Sequence, residues 1–203
     1  NWGSCTDFST VLREADDKMY KNKLMESKNL RNSIVRFLEK ILWAKDRQTE
    51  KHVIRLKELV KKTGNYLGLS RKAIEDLTLV ASLHDIGKII VPEEILNKPG
   101  SLTCDEWDII KKHPETGYRI ARSTSELVHI SDSILSHHEW WNGNGYPQGL
   151  KGEEIPLYAR ITAVVDSYDV MTHNRPYSKA LSQEEALREI ERCAGTQFDP
   201  EIA

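Results

Sequence analysis

The sequence predicts an all-α protein. Apolar residues recur at intervals of three and four along several segments, which is the spacing of an amphipathic helix. Residues that cap helices stand at the starts of such segments, and the alternation of apolar and polar residues that marks strands is nearly absent. We therefore expect a helical bundle around one sizeable core, which 203 residues can enclose.

The helices can be assigned in chain order. Apolar stripes span residues 34–42 and 53–60, and Ser70 is placed to cap a third helix over 71–83. The stretch 155–171 predicts a further helix with a proline near its start. Two capping boxes are predicted, Thr103 with Glu106 and Ser182 with Glu185.

One proline and two proline-containing segments are expected to interrupt the helices. Pro114 is predicted to end a helix just after His113. Residues 91–100 predict a loop, and residues 142–156 predict a glycine-rich loop that follows a pair of histidines.

Composition and charge exclude several classes of protein. The net charge of -2 and the pI near 6.4 give no global basic field for duplex nucleic acid. Cys5, Cys104 and Cys193 lack the spacing of a disulfide framework or a cysteine zinc site, which favours a reducing compartment. No apolar run approaches the roughly 18 residues of a membrane span, and no secretory signal is evident. Because the chain starts at Asn1, we expect it to be part of a longer protein.

Histidine and aspartate are concentrated where packing alone explains them poorly. His84 and Asp85 follow an apolar helix, His137 and His138 are adjacent, and Asp166 interrupts an apolar stretch. Neutral imidazole and carboxylate are ligands that suit zinc, iron, manganese or nickel. Neighbours on a helix point about 100° apart, so such pairs reach a common site only if it is large, as a two-metal site is. The pattern indicates a metallohydrolase.

The alternative interpretation is that some of these histidines are structural. His52 lies near an apolar helix face and is equally consistent with a half-buried surface residue. His129 and His173 match no ligand pattern and are predicted to be ordinary.

Three segments resemble a known family. HDIGK at 84–88, HHEWWNGNGYPQGLKGEEIP at 137–156 and VVDSYDVMT at 164–172 are similar to the HD-GYP branch of the HD superfamily of metal-dependent phosphohydrolases. The resemblance covers residues 30–203, and the long second motif makes it specific. It implies an HD-domain helical bundle with an iron or manganese centre. The implied activity is hydrolysis of the bacterial second messenger cyclic di-GMP to pGpG by a metal-bridging hydroxide, and whether a further step to GMP follows stays open.

The resemblance also implies roles for individual residues. The resemblance implies that Asp85 and Lys88 are catalytic residues and that Lys88 also contacts the substrate phosphate. Tyr146 of the Gly-Tyr-Pro signature, Arg175 and Lys179 are implied to bind substrate. The implied metal ligands are His52, His84, Asp85, His113, His137, His138 and Asp166.

The chain departs from the family pattern at two positions. Gln48 stands where members with a third metal carry a glutamate, so we expect two divalent ions. Ser178 stands where a second cation usually follows the tyrosine of the Arg-Pro-Tyr segment. We therefore expect weaker binding of the substrate, unless Lys179 replaces the missing cation.

Residues 1–29 have a resemblance of their own. The segment Leu12-Arg13-Glu14-Ala15-Asp16-Asp17-Lys18-Met19-Tyr20 is similar to the C-terminal helix of a GGDEF (diguanylate cyclase) domain. A charged amphipathic linker helix is the alternative. We expect GGDEF domains, an upstream sensory domain and a second copy in a homodimer as partners. The expected location is the cytoplasm, including as the soluble part of a larger, membrane-tethered receptor.

Two further functions stay open at the level of sequence. One is a sensor or binding module that holds cyclic di-GMP with weak or no turnover. The other is a phosphodiesterase for another cyclic dinucleotide, such as cyclic GMP–AMP, which contains the same phosphodiester group.

Overall fold

The all-α prediction is confirmed. The structure, a computed structural model, describes residues 8–45, 49–174 and 179–203. Over these ranges the ordered elements are helical, and the one β-bridge joins the single residues Ala194 and Phe198.

The described part of the chain forms nine α-helices and three short 3₁₀ helices. The α-helices are α1 (Phe8–Lys45), α2 (Thr49–Tyr66), α3 (Arg71–Leu83), α4 (Glu93–Leu96), α5 (Cys104–Ile110), α6 (His113–Arg122), α7 (Ser131–Leu135), α8 (Leu157–Thr172) and α9 (Gln183–Arg192). The 3₁₀ helices span Ile86–Ile90, Val128–Ile130 and Gly152–Glu154.

The long helix α1 changes character along its length. The described side chains of 16–23 and 25–30 are exposed, whereas Val35 and Leu42 are buried against the rest of the bundle. The predicted division after residue 29 falls inside this continuous helix. Its exposed first part and its packed second part are consistent with that division, which stays a prediction.

The core is built from α2, α3 and α8, with α1, α6 and α7 packed around them. Leu56, Leu77 and Ile161, one from each central helix, are fully buried in a single apolar cluster. Burial of side chains of this size stabilises the fold by about 1.5–3 kcal/mol each. A smaller cluster of Val164, Ile190 and Phe198 attaches the C-terminal segment to α8.

The predicted caps are confirmed, and one predicted helix end is wrong. The hydroxyl of Ser70 accepts a hydrogen bond from the backbone of Ala73, and both predicted capping boxes are present. Pro114 lies in the first turn of α6 instead of ending α5, and His113 is the first residue of α6. Proline is tolerated there because the first helical N–H groups have no partner within the helix.

Two local expectations are corrected by the structure. His137 and His138 do not lie on a helix, because α7 ends before them and they occupy the turn that follows. The segment 91–100 is not a simple loop, since it contains the short helix α4. Among the described helices, none is both long enough and apolar enough to cross a membrane.

Candidate metal centre

The seven predicted ligand residues lie together at the centre of the bundle and form two groups. They come from α2, the end of α3, the start of α6, the turn after α7, and α8. Within each group the possible ligand atoms lie within 4.8 Å of one another. The first group is Asp85, His113, His137 and His138, and the second is His52, His84 and Asp166.

The carboxylate of Asp85 lies between the two groups. Its Oδ1 is 3.2 Å from Nε2 of His113, and its Oδ2 is 3.4 Å from Nε2 of His84. Oδ2 also accepts a hydrogen bond from Nζ of Lys88 at 2.6 Å. One carboxylate therefore faces imidazoles of both groups with different oxygen atoms.

Three of the histidines are oriented in the same way, by a hydrogen bond between the ring and a nearby backbone carbonyl group. Each follows the C-terminal end of a helix, where the last carbonyl groups lack partners within the helix. Each ring directs Nδ1 at the carbonyl three residues earlier, so Nδ1 carries the proton and Nε2 is left as an acceptor facing the cluster. The Nδ1–O distances are 3.0 Å for His84 to Ala81, 2.8 Å for His113 to Ile110, and 2.6 Å for His137 to Ile134.

His52 is oriented by a side chain instead of a carbonyl. Its Nδ1 lies 2.7 Å from Oδ2 of Asp169, while its Nε2 lies 3.1 Å from Oδ1 of Asp166. Asp169 also accepts two hydrogen bonds from the guanidinium of Arg55, at 2.6 and 2.7 Å. Burial opposes the charge on the His52 ring, but the two aspartates outweigh it and raise the pKa of His52 to about 9.

The protonation states elsewhere in the cluster suit a divalent cation. Burial, reinforced by neighbouring histidines, holds the pKa of His137 well below its ordinary value and lowers the pKa of His138 to about 3. Both rings are therefore neutral near pH 7, which is the state that binds metals.

The carboxylates of the cluster are ionised. Burial acts to raise the pKa of Asp85, but Lys88 and His84 outweigh it and hold the pKa well below its ordinary value. For Asp166, burial also acts to raise the pKa, but the hydrogen bond from His52 and the charges of His84 and His52 together outweigh it and lower the pKa. Imidazole nitrogens and ionised carboxylates in one buried site form a donor set that could hold metal ions.

Gly87 allows the segment after the His84-Asp85 pair to pack directly on α6. A Cβ atom at this position would lie 1.8 Å from the carbonyl oxygen of His113. Only glycine therefore permits the 3₁₀ helix to bring Asp85 this close to His113. The close approach explains the glycine of the HDIGK segment.

The glycine-rich loop is held to the cluster by Glu139, which sequence reasoning missed. This side chain is buried and accepts hydrogen bonds from the backbone N–H groups of three loop residues. Gly145 meets the same segment closely, since a Cβ there would lie 2.2 Å from the backbone nitrogen of Trp140. The three donors are Gln148 at 2.6 Å, Gly149 at 3.2 Å and Leu150 at 3.1 Å.

Of the predicted substrate-binding residues other than Lys88, the structure describes Tyr146 and Lys179. The ring of Tyr146 stacks on His138 with centroids 4.8 Å apart, and Nζ of Lys111 lies 5.8 Å from the Tyr146 centroid. Lys179 is exposed ahead of α9. The predictions for Gln48, Arg175 and Ser178 fall on residues outside the described ranges.

The two histidines predicted to be ordinary belong to neither ligand group. Nε2 of His129 lies 3.1 Å from Oδ1 of the buried Asp76. Nδ1 of His173 lies 3.0 Å from the backbone carbonyl of Asp169.

Comparison with known proteins identifies the family. A family model described as HD domain matches residues 36–202, so the chain belongs to the HD domain family. Membership of its HD-GYP branch, predicted from the sequence, is confirmed by the relatives.

Individual relatives have the following names and similarities. A cyclic di-GMP phosphodiesterase of Thermotoga maritima is 43% identical over 160 residues, which are 78% of this chain and 44% of that protein. The 3′3′-cGAMP-specific phosphodiesterase 2 of Vibrio cholerae is 33% identical over 183 residues, which are 89% of this chain and 35% of that protein. The chain thus spans less than half the length of these curated relatives.

A solved structure supports the fold. A protein of Bdellovibrio bacteriovorus, described as an HDG"Y"P protein, superposes with a TM-score of 0.64 at 18% identity. The superposition covers 100% of this chain and 72% of the other. Similarity at this level of identity bears on the architecture and not on the chemistry of the site.

Proposed function

We propose that this chain is the catalytic domain of a binuclear, metal-dependent phosphodiesterase that acts on cyclic di-GMP. The observation that carries the proposal is the position of Asp85, whose two oxygens face His84 and His113 of different ligand groups. A carboxylate in that position can bridge two cations. Two-metal sites stabilise both the attacking and the leaving oxygen in the displacement of a phosphate ester.

The proposed metals are two divalent ions, iron or manganese. His113, His137 and His138 would hold one ion, and His52, His84 and Asp166 the other, with Asp85 shared between them. When bound, such a pair lowers the pKa of a shared water, so that hydroxide is available near neutral pH. The mixture of imidazole and carboxylate donors in this chain is compatible with these metals, and the choice of iron or manganese rests on the resemblance to the HD-GYP branch.

Lys88 is proposed to act on the substrate phosphate. Its ammonium group contacts Asp85 at the edge of the cluster, and its side chain is 23% exposed. From this position the ammonium group can donate hydrogen bonds to the non-bridging oxygens of a phosphodiester as negative charge develops on them. Asp85 would keep the ammonium group directed toward the same side of the cluster.

The nucleotide is proposed to be cyclic di-GMP, cleaved to pGpG, with GMP as the product if a second cleavage follows. The name of the Thermotoga maritima relative supports this substrate, and Tyr146 offers a ring beside the cluster for stacking on a base. Arg175 and Lys179 are proposed to bind the second phosphate. A second candidate substrate is 3′3′-cGAMP, which the name of the Vibrio cholerae relative favours.

Four further proposals, three partners and a compartment, rest on the sequence alone. The partners we propose are GGDEF domains, an upstream sensory domain and a second copy of this chain in a homodimer. The proposed compartment is the cytoplasm, because the three cysteines lack a disulfide pattern.

The decisive experiment measures metal content and turnover on one preparation of the chain, reconstituted without oxygen with iron or manganese. We expect two metal ions per chain by elemental analysis, and linear pGpG as the first product. The ratio of kcat/KM for cyclic di-GMP and 3′3′-cGAMP identifies the substrate. The matched control is Asp76→Asn, which changes a buried aspartate outside both ligand groups and should keep metal and activity.

The same experiment separates an enzyme from a sensor. A metal-loaded chain that binds cyclic di-GMP but does not cleave it is a sensor, and the catalytic proposal is then wrong. A chain that binds no metal under these conditions contradicts the whole assignment of the site.

A further inference from the structure

A cavity with a volume of about 540 Å³ lies between α1, α2 and α3, apart from the candidate metal centre. No residue that lines it belongs to either group of candidate metal ligands. Cavities that bind small organic molecules have volumes of about 300–1,000 Å³. This cavity is therefore large enough for a ligand of nucleotide size.

The cavity has an excess of positive charge. Four basic side chains line it, and Glu75 is its one acidic lining residue among those described. The carboxylate of Glu75 is shared by three of these cations, at 3.5 Å from Arg71, 4.0 Å from Lys28 and 4.0 Å from Arg31. The fourth, Lys61, is paired with Glu58 at 2.9 Å. In a chain whose net charge is -2, this is a local concentration of cations. It favours an anionic ligand.

Arg31 contributes a partly buried cation to the lining of the cavity. Its side chain is 22% exposed, and its Nε is shielded from solvent with no hydrogen-bond partner among the described residues. The guanidinium group of Arg31 is part of the cavity lining, and its charge can pair with an oxygen of a phosphate group.

The rest of the lining suits the organic part of such a ligand. Leu69, Ile74 and Leu79 contribute apolar surface. Asn32 and Asn65 contribute side-chain amides that can both donate and accept hydrogen bonds. A phosphate alone would use the cations but neither the apolar wall nor the amides.

We propose that this cavity is a second ligand site, which binds an organic phosphate of the size of a nucleoside monophosphate. The phosphate contacts Arg31, Lys28 and Lys61, and the base or another apolar part packs on the wall formed by α3 and the residues before it. Because Lys28 and Arg31 lie on α1 and Lys61 lies on α2, the bound ligand connects α1 to the body of the bundle.

The test is isothermal titration of the metal-loaded chain with adenosine 5′-monophosphate. The adenine nucleotide is chosen because guanine nucleotides are products of the proposed reaction and would also enter the metal centre. Adenosine and inorganic phosphate are titrated as the two halves of the probe. We expect each half to bind at least about tenfold more weakly than the whole, because each lacks one of the two sets of contacts.

Variants locate the binding site. Arg31→Ala and Lys61→Ala should each weaken binding of the probe by roughly tenfold or more, as expected for loss of a charge-assisted hydrogen bond. Lys62→Ala is the matched control, since Lys62 is the exposed neighbour of Lys61 and does not line the cavity. Glu75→Gln should strengthen binding, because it removes the carboxylate that competes with the ligand. This variant keeps the test decisive if Arg31→Ala fails to fold.

Several outcomes would overturn the proposal. They include no binding of the probe, equal weakening in Lys61→Ala and Lys62→Ala, and equal or weaker binding in Glu75→Gln. Binding that survives Arg31→Ala and Lys61→Ala but is lost in Asp85→Asn would assign the probe to the metal centre. Each of these results leaves the proposed phosphodiesterase activity untouched, because turnover is measured separately.

Discussion

His52 and Asp169 are 117 positions apart in the sequence, yet Nδ1 of His52 lies 2.7 Å from Oδ2 of Asp169. The contact joins α2 to α8 and directs the other ring nitrogen, Nε2, at Asp166. Arg55, one turn after His52 on α2, donates hydrogen bonds to both carboxylate oxygens of Asp169 and so holds that group in place. Asp169 is thus a positioning residue for a proposed ligand.

The first prediction concerns this positioning role. Asp169→Asn should lower the affinity for metal by about 10–100-fold, which is the usual effect of losing a carboxylate that orients a ligating histidine. The measurement is competition with a chelator of known affinity. Asp76→Asn is again the control, because its partner His129 lies outside both ligand groups. Equal metal affinity in Asp169→Asn and the unaltered chain would show that His52 is held by packing alone.

Local patterns in the sequence predicted local structure well. The capping boxes at Thr103 and Ser182 depend on residues three positions away, and both are present in the structure. The prediction that Pro114 ends a helix is wrong for a physical reason. Proline is disfavoured inside a helix but favoured in its first turn, and the sequence pattern alone does not distinguish a helix end from a helix start.

The residues that support the site were harder to predict. Asp169 stands three residues after Asp166, so both carboxylates fall on one face of α8, and this spacing is the one sequence signal that points to Asp169. Its partner His52 is on a distant segment, and no pattern in one sequence connects them. Glu139 was missed for a different reason, since its hydrogen bonds go to backbone groups, which any loop sequence supplies.

The second prediction concerns Glu139 and the glycine-rich loop. Glu139→Gln removes the negative charge that accepts three backbone N–H groups, and it should lower the free energy of unfolding by about 2 kcal/mol or more. Urea denaturation measures the change. Glu153→Gln, an exposed glutamate in the same loop, should change stability by no more than about 0.5 kcal/mol. A loss as large in the control as in Glu139→Gln would exclude a specific role for Glu139.

The third prediction separates metal binding from catalysis at two neighbouring residues. Asp85→Ala should abolish turnover and lower the metal content, because it removes the carboxylate shared by both groups. Lys88→Ala should keep both metals and lose about 2.7–4 kcal/mol of transition-state stabilisation, if Lys88 acts like one oxyanion donor. Elemental analysis and kcat/KM are measured for each variant beside Lys62→Ala, which should match the unaltered chain. Loss of metal in Lys88→Ala would show that its contact with Asp85 is structural.

The fourth prediction concerns the second phosphate of the substrate. The metals would hold one phosphate of cyclic di-GMP, so the other requires cations, and Arg175 offers a bidentate group where Lys179 offers a point charge. Arg175→Ala should raise KM more than it lowers kcat, because the contact is made equally in the ground state and the transition state. Ser178→Arg should lower KM by restoring a second cation beside Lys179.

Lys179→Ala completes the series, and it should raise KM if this lysine already replaces the missing cation. An unchanged KM in Arg175→Ala would contradict the proposed role of Arg175. The second phosphate would then be bound beside Tyr146, where Nζ of Lys111 lies 5.8 Å from the ring centroid. In that case Lys111→Ala, and not Arg175→Ala, should raise KM, and Lys112→Ala, at the exposed neighbouring lysine, should leave KM unchanged.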